Sequence, residues 1–356
     1  MTMFAGIDVG ASSVVLVCRQ NGRGSAPETF DQSVAGHAAL VRRLCRVAPQ
    51  CVVLEATGIY YLDLALALQA AGLPVAVINP RSFHHFAKLK LVGSKTDGVD
   101  AALLAEYAER MNPALWQAPE PHRLALRDVG RQINRLTAAR TQAKNRLHAL
   151  RARASTLPLL IDDELEGIAV FDRRIQRLTA AATDLLDQAP LLARQCQLID
   201  AATGIAKASA IAILAELCVL PGHLKANQVS RYAGLDVRLW QSGTSVNQRA
   251  RMSKAGNAYL RAALFMPAMS AVRYDPRAKA FSLALQRRGK KKMQAVGAVM
   301  RKYLTGIWAC LKTDQPHWCP NVTRTGTAAC RKCARCRSSR VAQVVDPRGV
   351  VRTWSD

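Results

Sequence analysis

The sequence predicts an α/β domain at the N-terminus followed by a mostly α-helical remainder. Over residues 1–110 short apolar runs alternate with amphipathic segments, whereas the later segments repeat apolar residues at helical spacing. Half of the 356 residues are hydrophobic, so the chain is long and apolar enough to bury more than one core.

The charge of the chain favours a polyanionic partner. Lysine and arginine number 50 against 25 acidic residues, which gives a formal net charge of +25. Nucleic acid fits this excess better than a membrane, because the cations are spread along helices and no apolar run reaches the ~20 residues of a membrane span. Six cysteines lie in apolar segments, as expected for reduced residues of a cytosolic protein: Cys18, Cys45, Cys51, Cys196, Cys218 and Cys310.

The N-terminal segment has the element order of an RNase H-like sheet. Strands are predicted at 3–9, 13–19, 28–31, 51–55 and 75–78, and helices at 36–47, 61–71 and 97–110. Asn21-Gly22 marks a turn after the second strand. A hairpin at the start, followed by alternating strands and helices, fits this fold better than an all-parallel doubly wound sheet.

Four acidic residues occupy the ends of these elements. Asp8 lies in the first strand and Glu55 ends a later one. Asp97 and Asp100 are three residues apart and face the same side of a helix start. Four carboxylates that lie together need a counter-charge, and Mg²⁺ prefers oxygen ligands. The sequence therefore predicts a site for two Mg²⁺ ions, an arrangement that serves in-line displacement at a phosphodiester. Glu106 is interpreted as a solvated carboxylate.

Residues 112–190 are predicted to form a linker and a long antiparallel helical hairpin. Its helices, at about 123–154 and 160–188, carry apolar residues at heptad spacing, with Arg140 in one core position. Such a seam either recruits another subunit or acts as a plain spacer. Four arginines follow one another at four-residue steps: Arg123, Arg127, Arg131 and Arg135. Because Asp128 is their one acidic neighbour, the stripe favours contact with nucleic-acid backbone over a solvated face.

A second folded unit is predicted at 191–312. Its stretch 241–257 is rich in small and polar residues and is interpreted as a functional loop. Phosphate binding is favoured over solvated charge for four cations that flank the candidate catalytic strings: Lys95, Arg249, Arg251 and Lys254.

The tail, residues 313–356, is predicted to be a disordered basic segment. It contains a C-x₁₀-C-x₂-C-x₂-C pattern made by Cys319, Cys330, Cys333 and Cys336. Zn²⁺ suits cysteine ligands, but three cysteines at two-residue gaps crowd one turn and the usual paired spacing is absent. Zinc binding is therefore the less favoured interpretation of the tail.

Eight short strings lie between residues 6 and 269 of the chain. They are G-I-D-V-G at 6–10, L-E-A-T-G-I-Y at 54–60, V-I-N-P at 77–80, K-T-D-G-V-D-A at 95–101, Y-A-G-L at 232–235, Q-S-G-T-S at 241–245, R-M-S-K-A-G-N at 251–257 and L-R-A-A-L-F-M-P-A-M at 260–269. Each is weak alone. Together, their number, order and spacing resemble the DEDD transposases of bacterial insertion sequences, the insertion-sequence-one-ten family of bridge-RNA-guided recombinases.

The resemblance implies a RuvC-like catalytic domain at 1–111 and a C-terminal transposase domain at 191–312. It assigns the acidic tetrad to the four carboxylates above and the nucleophile to Ser242. It also implies that donor and target DNA are cut and rejoined through a covalent phosphoserine link, by a dimer or tetramer, with both DNAs chosen by a non-coding bridge RNA. The expected location is the bacterial cytoplasm, in association with the nucleoid.

Two other functions compete with this one. A RuvC-like nuclease or Holliday-junction resolvase would use water as the nucleophile, and Ser242 would only contact phosphate. A non-enzymatic nucleic-acid-binding protein would retain an inert fold. The four carboxylates argue against a non-enzymatic binding protein. The Q-S-G-T-S string argues against a nuclease or resolvase, which needs only the N-terminal domain.

Overall fold

The computed structural model describes residues 2–91, 93, 96–242, 246–315, 344–345 and 351–352. Of residues 246–249, 344–345 and 351–352 only the backbone is described. Contacts divide the chain into two compact units, Met1–Ala118 (unit 1) and Pro119–Asp356 (unit 2). The sequence analysis sets apart residues 112–190 as a linker and a helical hairpin; the structure places 112–118 in unit 1 and the hairpin in unit 2.

Unit 1 is built on one mixed sheet. Its strands are β1 (Met3–Val9), β2 (Ser13–Gln20), β3 (Arg23–Gly24), β4 (Glu28–Asp31), β5 (Cys51–Glu55) and β6 (Val75–Ile78). The order is β3-β2-β1-β5-β6, and β4 also pairs with β2. β1 and β2 are antiparallel, whereas β1, β5 and β6 are parallel. The predicted RNase H-like arrangement is therefore confirmed.

Helices cover both faces of this sheet. They are α1 (Val34–Val47), α2 (Tyr61–Ala70), α3 (Pro80–Leu89) and α4 (Asp97–Met111). Because side chains alternate along a strand, Ala5 and Ile7 of β1 pack with α1 and α2, and Phe4 packs on the opposite side with α3 and α4. The sequence analysis did not predict α3, although Asn79 accepts a hydrogen bond from the Arg81 amide and Pro80 follows at the first helical position.

Gly6 allows α4 to lie directly against β1. A Cβ atom at this position would lie 2.1 Å from the amide nitrogen of Ala105 and 2.3 Å from the carbonyl oxygen of Ala101, both in α4. These are backbone atoms, which cannot rotate away as a side chain can. The glycine of the G-I-D-V-G string therefore sets the distance between the helix and the sheet.

Unit 2 is mostly helical, as predicted. Its elements are α5 (Pro121–Arg151), α6 (Pro158–Asp187), α7 (Pro190–Asp200), α8 (Lys207–Leu217), α9 (Ala226–Tyr232), β7 (Val237–Ser242), β8 (Val246–Met252), α10 (Ala258–Tyr274), α11 (Pro276–Arg287) and α12 (Lys292–Thr313), followed by the short pair β9 (Val344–Val345) and β10 (Val351–Arg352). Helices α5 and α6 form the predicted hairpin. Arg140, in its core position, binds the Asp172 carboxylate across the seam at 2.5 Å.

The predicted loop at 241–257 is wrong in part, because β7 and β8 pair as an antiparallel hairpin. The side chains of β7 are exposed along its whole length, so the segment lacks the apolar alternation by which strands are recognised. Cross-strand backbone hydrogen bonds define the hairpin without burial. Within the part of the chain that the structure describes, no helix is both long and apolar enough to cross a membrane.

We expect the Gly6→Ala variant to lose about 3 kcal/mol of unfolding free energy or more, the upper end of the range for overpacked cores, because the new methyl group meets backbone rather than a movable side chain. Urea unfolding followed by circular dichroism measures this loss. The matched control is Gly167→Ala in α6, where an added Cβ meets open space. Since alanine favours helix over glycine, that variant should gain about 1 kcal/mol. Equal effects of the two substitutions would contradict the packing argument.

Candidate active site

Asp8 and Glu55 lie side by side on one face of the sheet. In the parallel pairing of β1 with β5, Ile7 is opposite Leu54, so the two acidic residues occupy the next step of the ladder. Val53 and Gly6 face α4, and residues two apart on a strand share a face. Glu55 and Asp8, each two residues further along, therefore direct their carboxylates toward the side covered by α4. The threonine hydroxyl of Thr57 donates a 2.6 Å hydrogen bond to the Glu55 carboxylate and restricts its orientation.

Asp97 and Asp100 come to this face from the first turn of α4. The helix begins after Thr96, whose hydroxyl accepts a hydrogen bond of 3.3 Å from the Val99 amide. Acidic residues are favourable in a first turn, because the free amides there carry partial positive charge. The close contact at Gly6 then holds this helix start near the end of β1.

Three carboxylates act electrostatically on Asp8. Burial, and after it the negative charges of Asp100, Asp97 and Glu55, raise the pKa of Asp8 from 3.8 to about 6. A half-buried aspartate that responds to three other acids lies within a single acidic cluster. The other three acids of the predicted tetrad therefore lie near enough to Asp8 for their charges to act on it.

The chemistry of this donor set fits a hard divalent cation. Carboxylate oxygens are the ligands that Mg²⁺ prefers, and a cation would offset the repulsion that raises the pKa of Asp8. Among the described residues, no three histidine, cysteine, aspartate or glutamate side chains lie close enough together to form a ready-made ligand group. Lys95 and the four tail cysteines, Cys319, Cys330, Cys333 and Cys336, lie outside the described residues, as does any zinc site they would form.

Glu106 is not the solvated carboxylate that the sequence suggested. It is 8% exposed, and its carboxylate binds Lys90 at 2.8 Å and Arg110 at 2.6 Å, with Arg19 at 4.0 Å. Burial raises its pKa, but the hydrogen bond from Lys90 and the three positive charges outweigh burial and lower it. Glu106 therefore ties α4 to the end of α3 and to β2.

Ser242 lies at the exposed end of β7, opposite Val246 of β8. Residues 243–245, between the two strands, are outside the described residues, as is the side chain of Arg249. Arg251 and Lys254 are exposed at the base of the hairpin. There, the backbone amides of Ser253 and Lys254 donate to the carbonyls of Asp236 and Gly234, both at 2.9 Å, which closes the hairpin at its base.

A buried carboxylate organises the base of this hairpin. Glu216 of α8 is 1% exposed, and both of its oxygens bind the Arg131 guanidinium, at 2.7 and 2.9 Å. The side-chain amide of Asn257 donates to Glu216 at 2.5 Å and to the Tyr232 hydroxyl at 2.8 Å. The Asn257 oxygen in turn accepts from the Leu260 amide and caps α10. The network therefore joins the Y-A-G-L and R-M-S-K-A-G-N strings, which flank β7 and β8.

Comparison with known proteins connects unit 1 and unit 2 to one family. A DEDD transposase model of the IS110 type matches residues 5–152, and a model described as "Transposase IS116/IS110/IS902 family" matches residues 196–283. The pilin gene-inverting protein of Moraxella bovis is 31% identical over 268 residues, which are 74% of this chain and 81% of that protein. The chain belongs to the IS110 family of transposases.

A second curated relative is consistent with this assignment. The putative transposase y4rJ of Sinorhizobium fredii is 29% identical over 313 residues, covering 75% of this chain and 78% of that protein. A similarity was also found to Thermus thermophilus RuvC, solved in complex with a Holliday junction substrate. The match covers 32% of this chain and 99% of the RuvC chain, at 17% identity and a TM-score of 0.25. The first family match includes all four carboxylates, and the second includes Ser242.

The arginine stripe of this transposase has partners inside unit 2. Arg131 pairs with Glu216, and Arg135 donates to the Tyr259 hydroxyl at 2.9 Å while its guanidinium lies 5.7 Å from the centre of that ring. Arg127 is mostly buried beside Asp128, at 3.7 Å. The premise that Asp128 is the one acidic neighbour of the stripe is therefore wrong, because Arg123 pairs with Glu120 at 3.2 Å and Arg131 pairs with Glu216. A single glutamate in the apolar run of α8 is the signal that could have predicted this pair.

We expect the Asp8→Asn variant, kept free of metal by a chelator, to melt at a higher temperature than the wild type at neutral pH, because one of four repelling charges is removed. The pKa of Asp8 is raised to about 6 in the folded protein, so the folded state binds more protons than the unfolded state below that value. Wild-type stability should therefore fall as the pH rises from about 4 to about 6. The difference between the two melting temperatures should be small near pH 4 and reach its full size above pH 6.

Calorimetry with two controls tests this expectation. Asp31→Asn removes an exposed carboxylate of β4 in the same unit, outside any helix, and should leave the melting temperature unchanged at every pH. Added Mg²⁺ should raise the melting temperature of the wild type and have a smaller effect on Asp8→Asn. If the wild type had a higher melting temperature than Asp8→Asn in chelator at neutral pH, the repulsion argued for the acidic cluster would be disproved.

We expect Glu216→Ala to lower the unfolding free energy by about 3 kcal/mol, since it leaves Arg131 without its partner inside the protein. This value is the lower end of the range for a broken buried pair, because the Arg131 side chain is still 27% exposed. The matched control is Glu164→Ala, which removes the partner of Arg146 from an equally bidentate but more exposed pair. Urea unfolding should show little change for that control. Equal losses in both variants would disprove a special role for Glu216.

Proposed function

We propose that this transposase cuts and rejoins DNA through a covalent phosphoserine intermediate formed on Ser242. The observation that carries the proposal is the acidic cluster of Asp8, Glu55, Asp97 and Asp100, in which burial, and after it the three other carboxylates, raise the pKa of Asp8. Such a cluster is suited to holding divalent ions against a phosphodiester. The exposed serine on the β7–β8 hairpin supplies a hydroxyl for the attack.

The four carboxylates would hold one or two Mg²⁺ ions. Bound metal supplies Lewis acidity, which favours loss of the serine proton and stabilises charge on the phosphoryl oxygens. Ser242 Oγ forms a bond to phosphorus while one P–O bond of the DNA breaks, and the leaving oxygen takes up a proton. Attack by a DNA hydroxyl on the phosphoserine then reverses these events and releases the serine. Because one phosphate ester replaces another, rejoining requires no ATP.

The cations around the serine hairpin would bind the DNA backbone. Arg251 and Lys254 are exposed beside β7, and neither takes part in an ion pair among the described residues. Arg249 and Lys95 remain predictions of the same kind. Each phosphate that such a cation neutralises makes binding weaker as the salt concentration rises.

The choice of DNA would rest with a non-coding bridge RNA, as the family resemblance implies. The net charge of +25 is sufficient for backbone contacts to both RNA and DNA. We further propose that a dimer or tetramer assembles on the donor and target, because two DNAs must each be cut and exchanged. A hydrolytic nuclease is the second candidate, since the acidic cluster of unit 1 is sufficient by itself to activate water.

Covalent trapping distinguishes these two functions. Purified protein is mixed with Mg²⁺, the RNA encoded beside the gene, and labelled donor and target DNA, and the mixture is then denatured with detergent. We expect a protein–DNA adduct with the wild type and none with Ser242→Ala, because only a serine ester survives denaturation. Ser253→Ala is the matched control, since Ser253 lies just beyond β8, and its adduct should match the wild type.

Two further results bear on the mechanism. Asp8→Asn should form no adduct and no cleaved DNA while retaining near-normal RNA binding, because it removes a metal ligand and no cation. Cleaved DNA without an adduct in the wild type would disprove the serine intermediate and favour attack by water.

A further inference from the structure

A large groove lies beside the serine hairpin in unit 2. Its volume is about 910 Å³, and its walls come from β7, β8, α11 and α12. Val237 of β7 and Met252 of β8 line it, so the strand that ends at Ser242 also forms one wall of the groove.

The groove has a cationic rim. Five of its lining residues are lysine or arginine: Arg251, Lys254, Lys290, Arg301 and Lys302. All five are exposed, and none of the lining residues is aspartate or glutamate. None of these five cations takes part in an ion pair among the described residues. Five like charges without acidic partners favour an anionic occupant.

The floor of the groove is apolar. It includes Leu235, Leu285 and the ring of Phe281, over which the Lys302 ammonium lies 4.9 Å from the centre. The Met252 side chain reaches Gly297 of α12, where an added Cβ would lie 2.4 Å from the methionine methyl carbon. An apolar floor with one aromatic ring, surrounded by cations, matches the surfaces that bind unpaired bases and their phosphates.

The position of the groove favours DNA over RNA as the occupant. Val237 and Ser242 are five residues apart on β7, which corresponds to about 17 Å at ~3.3 Å per residue. That length equals about five stacked nucleotides at ~3.4 Å each, and fewer when the strand is extended. The nucleic-acid strand that extends from Ser242 into the groove is the DNA strand that Ser242 attacks.

We propose that the groove binds unpaired bases of the DNA strand next to the bond that Ser242 attacks. The bases lie on the apolar floor around Phe281, and the phosphates contact Arg301, Lys302 and the other rim cations. This inference rests on the proposed function, because it takes Ser242 as the point of attack. The groove would hold the cut strand apart from its complement during exchange.

Binding of a short single-stranded oligothymidylate, measured by fluorescence anisotropy in the Ser242→Ala background, tests the groove without requiring cleavage. Two variants separate its two parts. Arg301→Glu with Lys302→Glu should weaken binding at least tenfold and reduce the slope of log K against log salt by about 1.4, or ~0.7 for each lost phosphate contact. Ala298→Phe, which fills the groove from α12, should also weaken binding tenfold but leave that slope unchanged.

The matched control reverses two exposed arginines of α6, Arg173→Glu with Arg177→Glu, and makes the same change in net charge away from the groove. It should alter affinity less than threefold.

Crosslinks from 5-iodouracil in the oligonucleotide should map to Phe281 or Met293 and disappear in Ala298→Phe. The proposal would be overturned if Ala298→Phe bound the oligothymidylate as tightly as the Ser242→Ala background, or if the control lost as much affinity as Arg301→Glu with Lys302→Glu. It would also be overturned if the matching RNA bound more tightly than the DNA, or if vesicles of anionic lipid displaced the DNA. Adduct formation in the Ser242 experiment is independent of all these outcomes, so the two proposals can fail separately.

Discussion

The close contact of α4 with β1 at Gly6 is the constraint on which the acidic cluster depends. With no side chain at this position, the helix backbone approaches the strand, and the helix start comes to the carboxyl end of β1. Asp8 lies two residues further along the strand, on the same face. The packing of helix on sheet thus keeps four like charges near one another, and burial, together with their repulsion, raises the pKa of Asp8. A fold that is stabilised elsewhere can maintain such a site in readiness for cations.

Unit 2 uses the opposite electrostatic arrangement around its candidate nucleophile. Glu216 is buried, but both of its oxygens are satisfied by Arg131 and Asn257, so this charge helps to define the structure. The network fixes the two chain segments between which β7 and β8 project. A rigid base under an exposed hairpin is a suitable support for a nucleophile, because the reacting hydroxyl must be accessible to a large substrate and yet be positioned accurately.

The positive charge of the chain therefore serves more than one purpose. Some arginines, such as Arg131 and Arg140, neutralise acids inside the protein and between helices. Others, such as Arg301 and Lys302 on the groove rim, have no acidic partner among the described residues and are available to a polyanion. Net charge alone does not distinguish the two groups, because the distinction depends on which acids the fold places nearby.

The sequence by itself determined the strands of the RNase H-like sheet apart from the two-residue β3, the two long helices and the choice of the four carboxylates as candidates. These features depend on local periodicity and on residues at the ends of elements, both of which are visible in a linear pattern. Tertiary structure alone decided that Arg131 pairs with Glu216, that Glu106 is buried, that residues 237–242 and 246–252 pair as a hairpin, and that four elements enclose a cationic groove. Each of these depends on contacts between segments far apart in the chain. Their partners are set by how helices and strands pack, and that information is distributed over the whole sequence.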